Sequence, residues 1–170
     1  MGRISGQIPN FITSVRIALA FVFPFVSENA RLPILISALS TEFLDGFIAR
    51  RFGWTSRLGQ ILDPVADKLF FLSVALTFFF ENKITAWELA ATGARDIIVA
   101  IGAVALFLRR NWAEFEKMAP TFFGKLTTTL QYIVLFVLAW KLQLSPVLVS
   151  LVLMSGLIAA AQYIERATRS

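Results

Sequence analysis

The 170-residue sequence contains no cysteine and no histidine. Without cysteine, the chain has no disulfides, no thiolate chemistry and no metal site built on sulfur. Without histidine, it has no imidazole base, so the carboxylates of aspartate and glutamate are the candidate catalytic bases. A metal bound by this chain is therefore expected to be a hard cation that takes oxygen ligands.

Charged residues are also scarce, at 16% of the chain, whereas 57% of the residues are hydrophobic and 17 are phenylalanines. The mean hydropathy is +0.71. A soluble domain is about half apolar and about one quarter charged, so this surplus indicates that lipid surrounds much of the chain. The net charge of +5 is not clustered as a nucleic-acid-binding surface requires, and we expect no nucleic-acid partner.

Apolar segments fill nearly the whole sequence, separated by short polar breaks. A helix needs about 20 mostly apolar residues to cross a bilayer. The predicted spans cover residues 9–27, 32–52, 58–80, 86–108, 120–141 and 145–165. We therefore predict an all-α fold, a six-transmembrane-helix integral membrane bundle, formed as a single domain by residues 1–170.

The basic residues near the ends of these spans are distributed unevenly. If both termini lie on one side of the bilayer, that side holds nine of them: Arg3, Arg50, Arg51, Arg57, Arg109, Arg110, Lys117, Arg166 and Arg169. The other side holds three, which are Arg31, Lys83 and Lys141. Because cytoplasmic segments carry the excess of lysine and arginine, we predict cytoplasmic termini.

Four acids interrupt the second and third apolar segments. Glu42 and Asp45 are three residues apart, and Asp63 and Asp67 are four apart, so on helices each pair shares one face. The polar hairpin between the segments makes the two helices antiparallel neighbours, which can bring the four carboxylates to one depth near the cytoplasm. Divalent cations would relieve their mutual repulsion, and a two-metal centre suits displacement at phosphorus. An ion path, a proton relay or pairing with Arg and Lys is the alternative.

These acids belong to a longer pattern. It runs Glu42-x-x-Asp45-Gly46-x-x-Ala49-Arg50, then eight residues, then Gly59-x-x-x-Asp63-x-x-x-Asp67. The pattern closely resembles the signature of the CDP-alcohol phosphatidyltransferases, D-x-x-D-G-x-x-A-R-x8-G-x-x-x-D-x-x-x-D. The departure is Glu42 in place of the first aspartate, which affects the metal spacing or the choice between Mg²⁺ and Mn²⁺. The six-span layout matches the family over essentially the full length.

The resemblance implies a role for each matched residue. The metal ligands for Mg²⁺ or Mn²⁺, in a two-metal site, are expected to be Glu42, Asp45, Asp63 and Asp67. Asp67 is also the expected catalytic base, which takes the proton of the acceptor hydroxyl. The expected CDP-binding residues are Gly46, Ala49, Arg50, Gly59 and Asn10.

The resemblance also implies a reaction and a setting. An alcohol attacks the β-phosphorus of CDP-diacylglycerol and CMP leaves, a step in phospholipid biosynthesis. The implied protein is a homodimer surrounded by membrane lipid, with a polar groove that opens to the cytoplasm. We expect it in a bacterial inner membrane, with the mitochondrial inner membrane as the alternative.

The acceptor alcohol is expected to contact Arg95, Asp96 and Lys125, together with Arg16 of the first span. An intramembrane Arg95–Asp96 pair, or a pair between Lys125 and an acid, is the alternative interpretation of these charges.

The identity of the acceptor is predicted from two positions. Family members that accept glycerol phosphate usually carry arginine and lysine where this chain has Ala103 and Thr127. Losing two cations weakens the binding of a nearly dianionic phosphate monoester, whereas a phosphodiester needs fewer. We therefore expect phosphatidylglycerol as acceptor, making the chain a cardiolipin synthase. The alternative acceptor is sn-glycerol 3-phosphate, as in phosphatidylglycerophosphate synthesis, and the non-enzymatic alternative is a small ion or proton pathway.

Overall fold

The computed structural model describes the backbone of residues 7–52, 57–108 and 121–168, and the side chains of residues 13–41, 65–102 and 121–165. Within these ranges the regular structure is entirely helical, which confirms the predicted all-α class. The described ranges contain six α-helices: α1 (Gln7–Val22), α2 (Glu28–Phe52), α3 (Arg57–Phe80), α4 (Ala86–Leu108), α5 (Phe122–Ala139) and α6 (Pro146–Thr168).

The chain divides into two compact units, Met1–Glu81 and Asn82–Ser170. In the first unit, α1 packs mainly against α3 and also contacts α2. In the second unit, α6 packs against both α4 and α5.

A phenylalanine cluster forms the core at one end of the first unit. Phe23 packs edge-to-face against Phe70 and Phe78 of α3, with ring centroids 6.2 and 6.0 Å apart. In lipid the hydrophobic effect does not drive helices together, so close packing of this kind and interhelical hydrogen bonds hold them.

Pro24 explains why the first span is not one continuous α-helix. The α1 helix ends at Val22 and continues as a short 3-10 helix, Phe23–Phe25. Proline has no N–H to donate to the carbonyl four residues earlier, which is that of Ala20. The hydroxyl of Ser73 on α3 donates a hydrogen bond to this carbonyl instead. The carbonyl left free by the proline thus accepts a hydrogen bond that links α1 to α3.

An ion pair joins the start of α2 to the residue that follows α3. Arg31 donates to both carboxylate oxygens of Glu81, with Nη1 2.6 Å from Oε2. The Arg31 guanidinium also lies over the rings of Phe23 and Phe78, 5.8 and 5.6 Å from their centroids. Because the first turn of α2 meets the end of α3, these helices run antiparallel, as the hairpin between them predicts.

Local signals fix the helix ends in the second unit. A capping box begins α4: Thr85 Oγ1 accepts from the Glu88 N–H at 3.2 Å, and the Glu88 carboxylate accepts from the Thr85 N–H at 2.7 Å. After α5, Lys141 takes a left-handed conformation with φ of 60° and donates its N–H to the carbonyl of Leu138, which terminates the helix.

Two of the described helices are long and apolar enough to cross a bilayer, over Phe122–Ala139 and Pro146–Glu165. Core helices of soluble proteins can be equally long and apolar, so these two helices alone are weak support for a membrane protein. The count of six membrane spans stays a prediction.

Candidate active site

The four predicted metal ligands lie on two helices of the first unit. Glu42 and Asp45 belong to α2, and Asp63 and Asp67 belong to α3. Within each pair, the spacing puts both residues on one face of a continuous helix. The side chains of Glu42, Asp45 and Asp63 lie outside the described residues, so the meeting of all four carboxylates stays a prediction.

The backbone positions agree with that prediction. Asp45 lies fourteen residues after Arg31 on α2, and Asp67 lies fourteen residues before Glu81 on α3. At 1.5 Å per residue, each is about 21 Å along its helix from the Arg31–Glu81 contact. On these two antiparallel helices, Asp45 and Asp67 therefore lie at a similar distance from that contact.

Asp67 is the one predicted ligand whose side chain is described. It is half-buried, and its Oδ1 accepts a hydrogen bond from Arg16 Nη1 at 2.5 Å. The Arg16 side chain is only 2% exposed, and Thr13, one turn earlier on α1, is buried as well. Arg16 was predicted to contact the acceptor, and its described contact is with the predicted base.

The donor chemistry of the site fits a hard divalent cation. Carboxylate oxygens are the ligands that Mg²⁺ and Mn²⁺ prefer, and a half-buried Asp67 is within reach of both solvent and protein. Within residues 13–41, 65–102 and 121–165, no group of three His, Cys, Asp or Glu side chains is close enough to hold a metal. Three of the four predicted ligands lie outside those ranges.

The predicted CDP-binding residues are spread over the three helices of the first unit. Asn10 lies on α1, Gly46, Ala49 and Arg50 on α2, and Gly59 on α3. Their side chains are outside the described residues, and their roles stay predictions.

The second unit encloses the side chain of Arg95, which projects from α4. Arg95 Nη1 donates to Thr128 Oγ1 of α5 at 3.1 Å and lies 3.5 Å from Asp96 Oδ1. The guanidinium carbon lies 6.0 Å from the centre of the Tyr163 ring on α6. We call Arg95, Asp96, Thr128 and Tyr163 the Arg95 cluster.

Two glycines make room for this arginine. A Cβ added to Gly124 would lie 3.0 Å from Arg95 Nη2 and 3.3 Å from the Tyr163 hydroxyl. A Cβ added to Gly156 would lie 3.1 Å from the Arg95 Cβ. These separations are shorter than ordinary van der Waals contacts. The backbones of α5 and α6 can therefore lie this close to Arg95 because both positions are glycine.

The neighbouring acid, Asp96, is held by a buried amide. Gln131 Nε2 donates to Asp96 Oδ2 at 2.7 Å and to the Thr92 carbonyl oxygen at 2.8 Å. Gln131 is 2% exposed. A buried polar side chain in an apolar helix is costly unless it is satisfied, and these two bonds engage both N–H groups of the amide.

Of the predicted acceptor residues, the structure brings Arg95 and Asp96 together and leaves Lys125 with an exposed side chain on α5. The Arg95–Asp96 contact is the ion pair that the sequence left open as an alternative. It does not conflict with phosphate binding, because a guanidinium has five N–H donors.

The match to a family model decides the family. Residues 6–162 match the model described as CDP-alcohol phosphatidyltransferase. The chain belongs to the CDP-alcohol phosphatidyltransferase family. It is therefore a transferase of phospholipid biosynthesis, and the enzyme class predicted from the acidic pattern is confirmed.

Relatives of this phosphatidyltransferase carry a consistent name. A protein of Pectobacterium atrosepticum is 36% identical over 148 residues, which cover 79% of this chain and 78% of the relative. One of Aquifex aeolicus is 35% identical over 128 residues, which cover 72% and 69%. Both are named CDP-diacylglycerol–glycerol-3-phosphate 3-phosphatidyltransferase. These names favour the alternative acceptor, sn-glycerol 3-phosphate, over the cardiolipin prediction.

One of the two positions used to predict the acceptor of this phosphatidyltransferase, Thr127, is buried between helices. Thr127 is fully buried, and its hydroxyl donates to the Phe123 carbonyl and lies 3.1 Å from Ser155 Oγ on α6. In this chain the position packs α5 against α6, so its residue type is constrained by helix packing as well as by any ligand. The side chain of Ala103 lies outside the described residues.

Thr128, Gln131 and Tyr163 were not predicted from the sequence to belong to the site. A signal was present: Gly124, Thr128 and Gln131 are spaced four and three residues apart, so they share one face of an otherwise apolar helix. Polar residues on the inward face of a membrane helix are candidates for function. Tyr163 carries no comparable signal, because tyrosine is common near the ends of membrane spans.

Proposed function

We propose that this chain transfers the phosphatidyl group of CDP-diacylglycerol to sn-glycerol 3-phosphate and releases CMP. The observation that carries the proposal is the 36% identity, over 79% of the chain, to a relative named for this reaction. The acidic pattern from Glu42 to Asp67 supports the donor half of the reaction, and the Arg95 cluster supports the acceptor half.

In the proposed mechanism, Asp67 takes the proton of an acceptor hydroxyl. The hydroxyl oxygen then forms a bond to the β-phosphorus of CDP-diacylglycerol, and the bond from that phosphorus to the CMP oxygen breaks. Arg16 positions Asp67 through the hydrogen bond to Oδ1, so that the plane of the carboxyl group has a fixed direction. A general base positioned in this way contributes about 10²- to 10⁴-fold in rate.

Glu42, Asp45, Asp63 and Asp67 would hold the Mg²⁺ or Mn²⁺ ions of a two-metal site. When bound, such ions neutralise the charge on the phosphates and orient the reacting groups. Asn10, Gly46, Ala49, Arg50 and Gly59 are the proposed contacts of the cytidine diphosphate.

Arg95 is the proposed contact for the phosphate of the acceptor, with Lys125 as a second cation and Asp96 as a neighbouring polar group. A guanidinium can hold a phosphate through two parallel hydrogen bonds. Arg95 is a cation enclosed by three helices, where burying a charge is expensive, and its contacts with Asp96 and Thr128 leave other guanidinium donors for a phosphate. This enclosure favours a ligand-binding role over a role as a surface anchor.

The proposed setting follows the sequence. The six helices span a bacterial inner membrane as a single domain, with the termini and the polar groove on the cytoplasmic side. The protein acts as a homodimer in lipid. The donor is a membrane lipid and CMP is water-soluble, so a site at the cytoplasmic surface serves both.

The test uses purified protein in detergent with labelled CDP-diacylglycerol, Mg²⁺ or Mn²⁺, and one acceptor at a time. We expect CMP release with sn-glycerol 3-phosphate, and loss of turnover when a chelator removes the cations. Turnover with phosphatidylglycerol but not with glycerol 3-phosphate would assign the chain to cardiolipin synthesis. An absence of CMP release with every alcohol would overturn the proposed reaction.

A further inference from the structure

The Arg95 side chain contacts two groups that have no assigned role in the reaction, and a glycine leaves room for it. Thr128 Oγ1 accepts from Nη1 at 3.1 Å, the Tyr163 ring lies 6.0 Å from the guanidinium carbon, and Gly124 leaves space beside Nη2. An arginine over an aromatic face gains from the electrostatic attraction between its charge and the ring. The Tyr163 ring thus lies against one side of the guanidinium.

A second set of contacts fixes the charge next to Arg95. Gln131 donates to Asp96 Oδ2 at 2.7 Å, while Asp96 Oδ1 lies 3.5 Å from Arg95 Nη1. The same amide donates to the Thr92 carbonyl at 2.8 Å, which ties it to the α4 backbone. Gln131 therefore orients the Asp96 carboxylate, and Asp96 in turn faces the guanidinium.

We propose that Tyr163 and Gln131 are positioning residues that hold the Arg95 guanidinium in the orientation that binds the phosphate of the acceptor. The inference deepens the proposed function and rests on its assignment of Arg95. A free arginine side chain loses much rotational freedom when it binds a phosphate. Fixing the side chain beforehand removes that cost from the binding step. Both residues therefore act on acceptor affinity through Arg95.

The first experiment compares two substitutions of Tyr163 in the full-length protein. Tyr163→Phe keeps the aromatic face, and we expect an acceptor KM close to that of the wild type. Tyr163→Leu removes the face, and we expect the acceptor KM to rise roughly 2- to 30-fold, the range of a lost cation–π contact. The KM for CDP-diacylglycerol and the kcat should change little, which a general loss of structure would not produce.

The second experiment removes the buried amide. Gln131→Met has similar length and no donor, so we expect it to raise the acceptor KM in the same selective way. Thr129→Val is the matched control on α5, because the Thr129 hydroxyl is exposed and donates only to the Lys125 carbonyl at 3.1 Å among its described bonds. This control should leave both KM values unchanged. If Tyr163→Leu does not fold, the acceptor KM of Gln131→Met, compared with that of Thr129→Val, still tests the positioning role.

Arg95→Met separates failure of this inference from failure of the proposed function. An unchanged acceptor KM in Arg95→Met would remove Arg95 from the acceptor site and overturn the assignment on which the inference rests. A raised KM in Arg95→Met, with wild-type values in Tyr163→Leu and Gln131→Met, would overturn the positioning role alone. Equal losses for donor and acceptor in the two positioning variants would also overturn it, since they indicate a structural effect.

Discussion

Arg16 of α1 donates a hydrogen bond to Asp67 of α3 at 2.5 Å, and the arginine is almost completely buried. The bond occupies Oδ1, and because the carboxyl group is planar, the direction of Oδ2 is fixed as well. Charge-assisted bonds of this kind are about twice as strong as neutral ones. The predicted catalytic base is therefore held by a neighbouring helix.

Replacing the predicted base tests its chemical role. Asp67→Asn keeps the shape of the side chain, but the amide cannot take the proton from the hydroxyl of the acceptor alcohol and is a poorer metal ligand than the carboxylate. We expect turnover to fall by at least about 10²-fold. The unfolding temperature in detergent should fall as well, because the buried Arg16 loses its charged partner, so activity is measured well below the unfolding transition of the variant. Glu165→Gln, at an exposed acid on α6, is the control and should retain activity. Substantial activity in Asp67→Asn would exclude Asp67 as the base.

Substitution of Arg16 distinguishes its two proposed roles. If Arg16 positions Asp67, Arg16→Met should lower kcat by roughly 10- to 100-fold, in line with the loss of a hydrogen bond to a charged group, with little change in the acceptor KM. Arg16→Lys should recover part of the rate. If Arg16 binds the acceptor phosphate, the acceptor KM should rise instead. Steady-state kinetics with varied glycerol 3-phosphate checks both outcomes.

The helices were predictable because their boundary signals are local. The fourth span was predicted at 86–108 and the helix covers Ala86–Leu108, since the Thr85–Glu88 capping box fixes its start. Pro24 is visible in the sequence, yet the Ser73 hydroxyl that compensates for it comes from a residue about fifty positions away. Such partners depend on the packing of α1 against α3.

The candidate site was predictable in part for the same reason. The acidic pattern has a fixed spacing that can be identified along the chain, whereas the Arg95 cluster joins three helices. The acceptor inference from Thr127 assumed that this residue faces a ligand, and the structure shows it packed against α6. Which face of an apolar helix is buried is decided by its neighbours, and the pattern of α5 alone left that open.

Two glycines of the second unit should respond in opposite ways to alanine. A Cβ at Gly156 would lie 3.1 Å from the Arg95 Cβ, which cannot move without shifting α4, so we expect Gly156→Ala to cost about 1–3 kcal/mol. Gly93 has nothing within 4 Å of an added Cβ, so Gly93→Ala should be neutral or stabilising by up to about 1 kcal/mol. Thermal unfolding in detergent measures the difference, and equal effects would contradict the close approach of α4 and α6.

The Arg31–Glu81 pair should stabilise the first unit. Arg31 is 4% exposed and lies over two phenylalanine rings, so Glu81→Gln leaves a buried charge poorly compensated and should cost roughly 3 kcal/mol. Arg31→Met removes the charge and keeps much of the packing, and the double variant should be more stable than Glu81→Gln alone. Lys83→Gln, at an exposed cation two residues later, should change stability by less than about 0.5 kcal/mol. If the changes in unfolding free energy for Arg31→Met and Glu81→Gln simply add in the double variant, the two side chains have no interaction energy.

The absence of cysteine makes the chain a direct background for mapping its membrane topology. Ser27 is the last residue of the first predicted span, and Gln143 lies in the loop before the last span. Both are exposed and lie on the predicted extracytoplasmic side, so Ser27→Cys and Gln143→Cys should react with a membrane-impermeant maleimide in intact cells. Ser5→Cys and Ser170→Cys, near the predicted cytoplasmic termini, should react only after permeabilisation. Because an odd number of spans would put the two termini on opposite sides, labelling of one terminal cysteine in intact cells would rule out six spans. If all four positions are labelled equally in intact cells, the predicted orientation is wrong, however many helices cross the membrane.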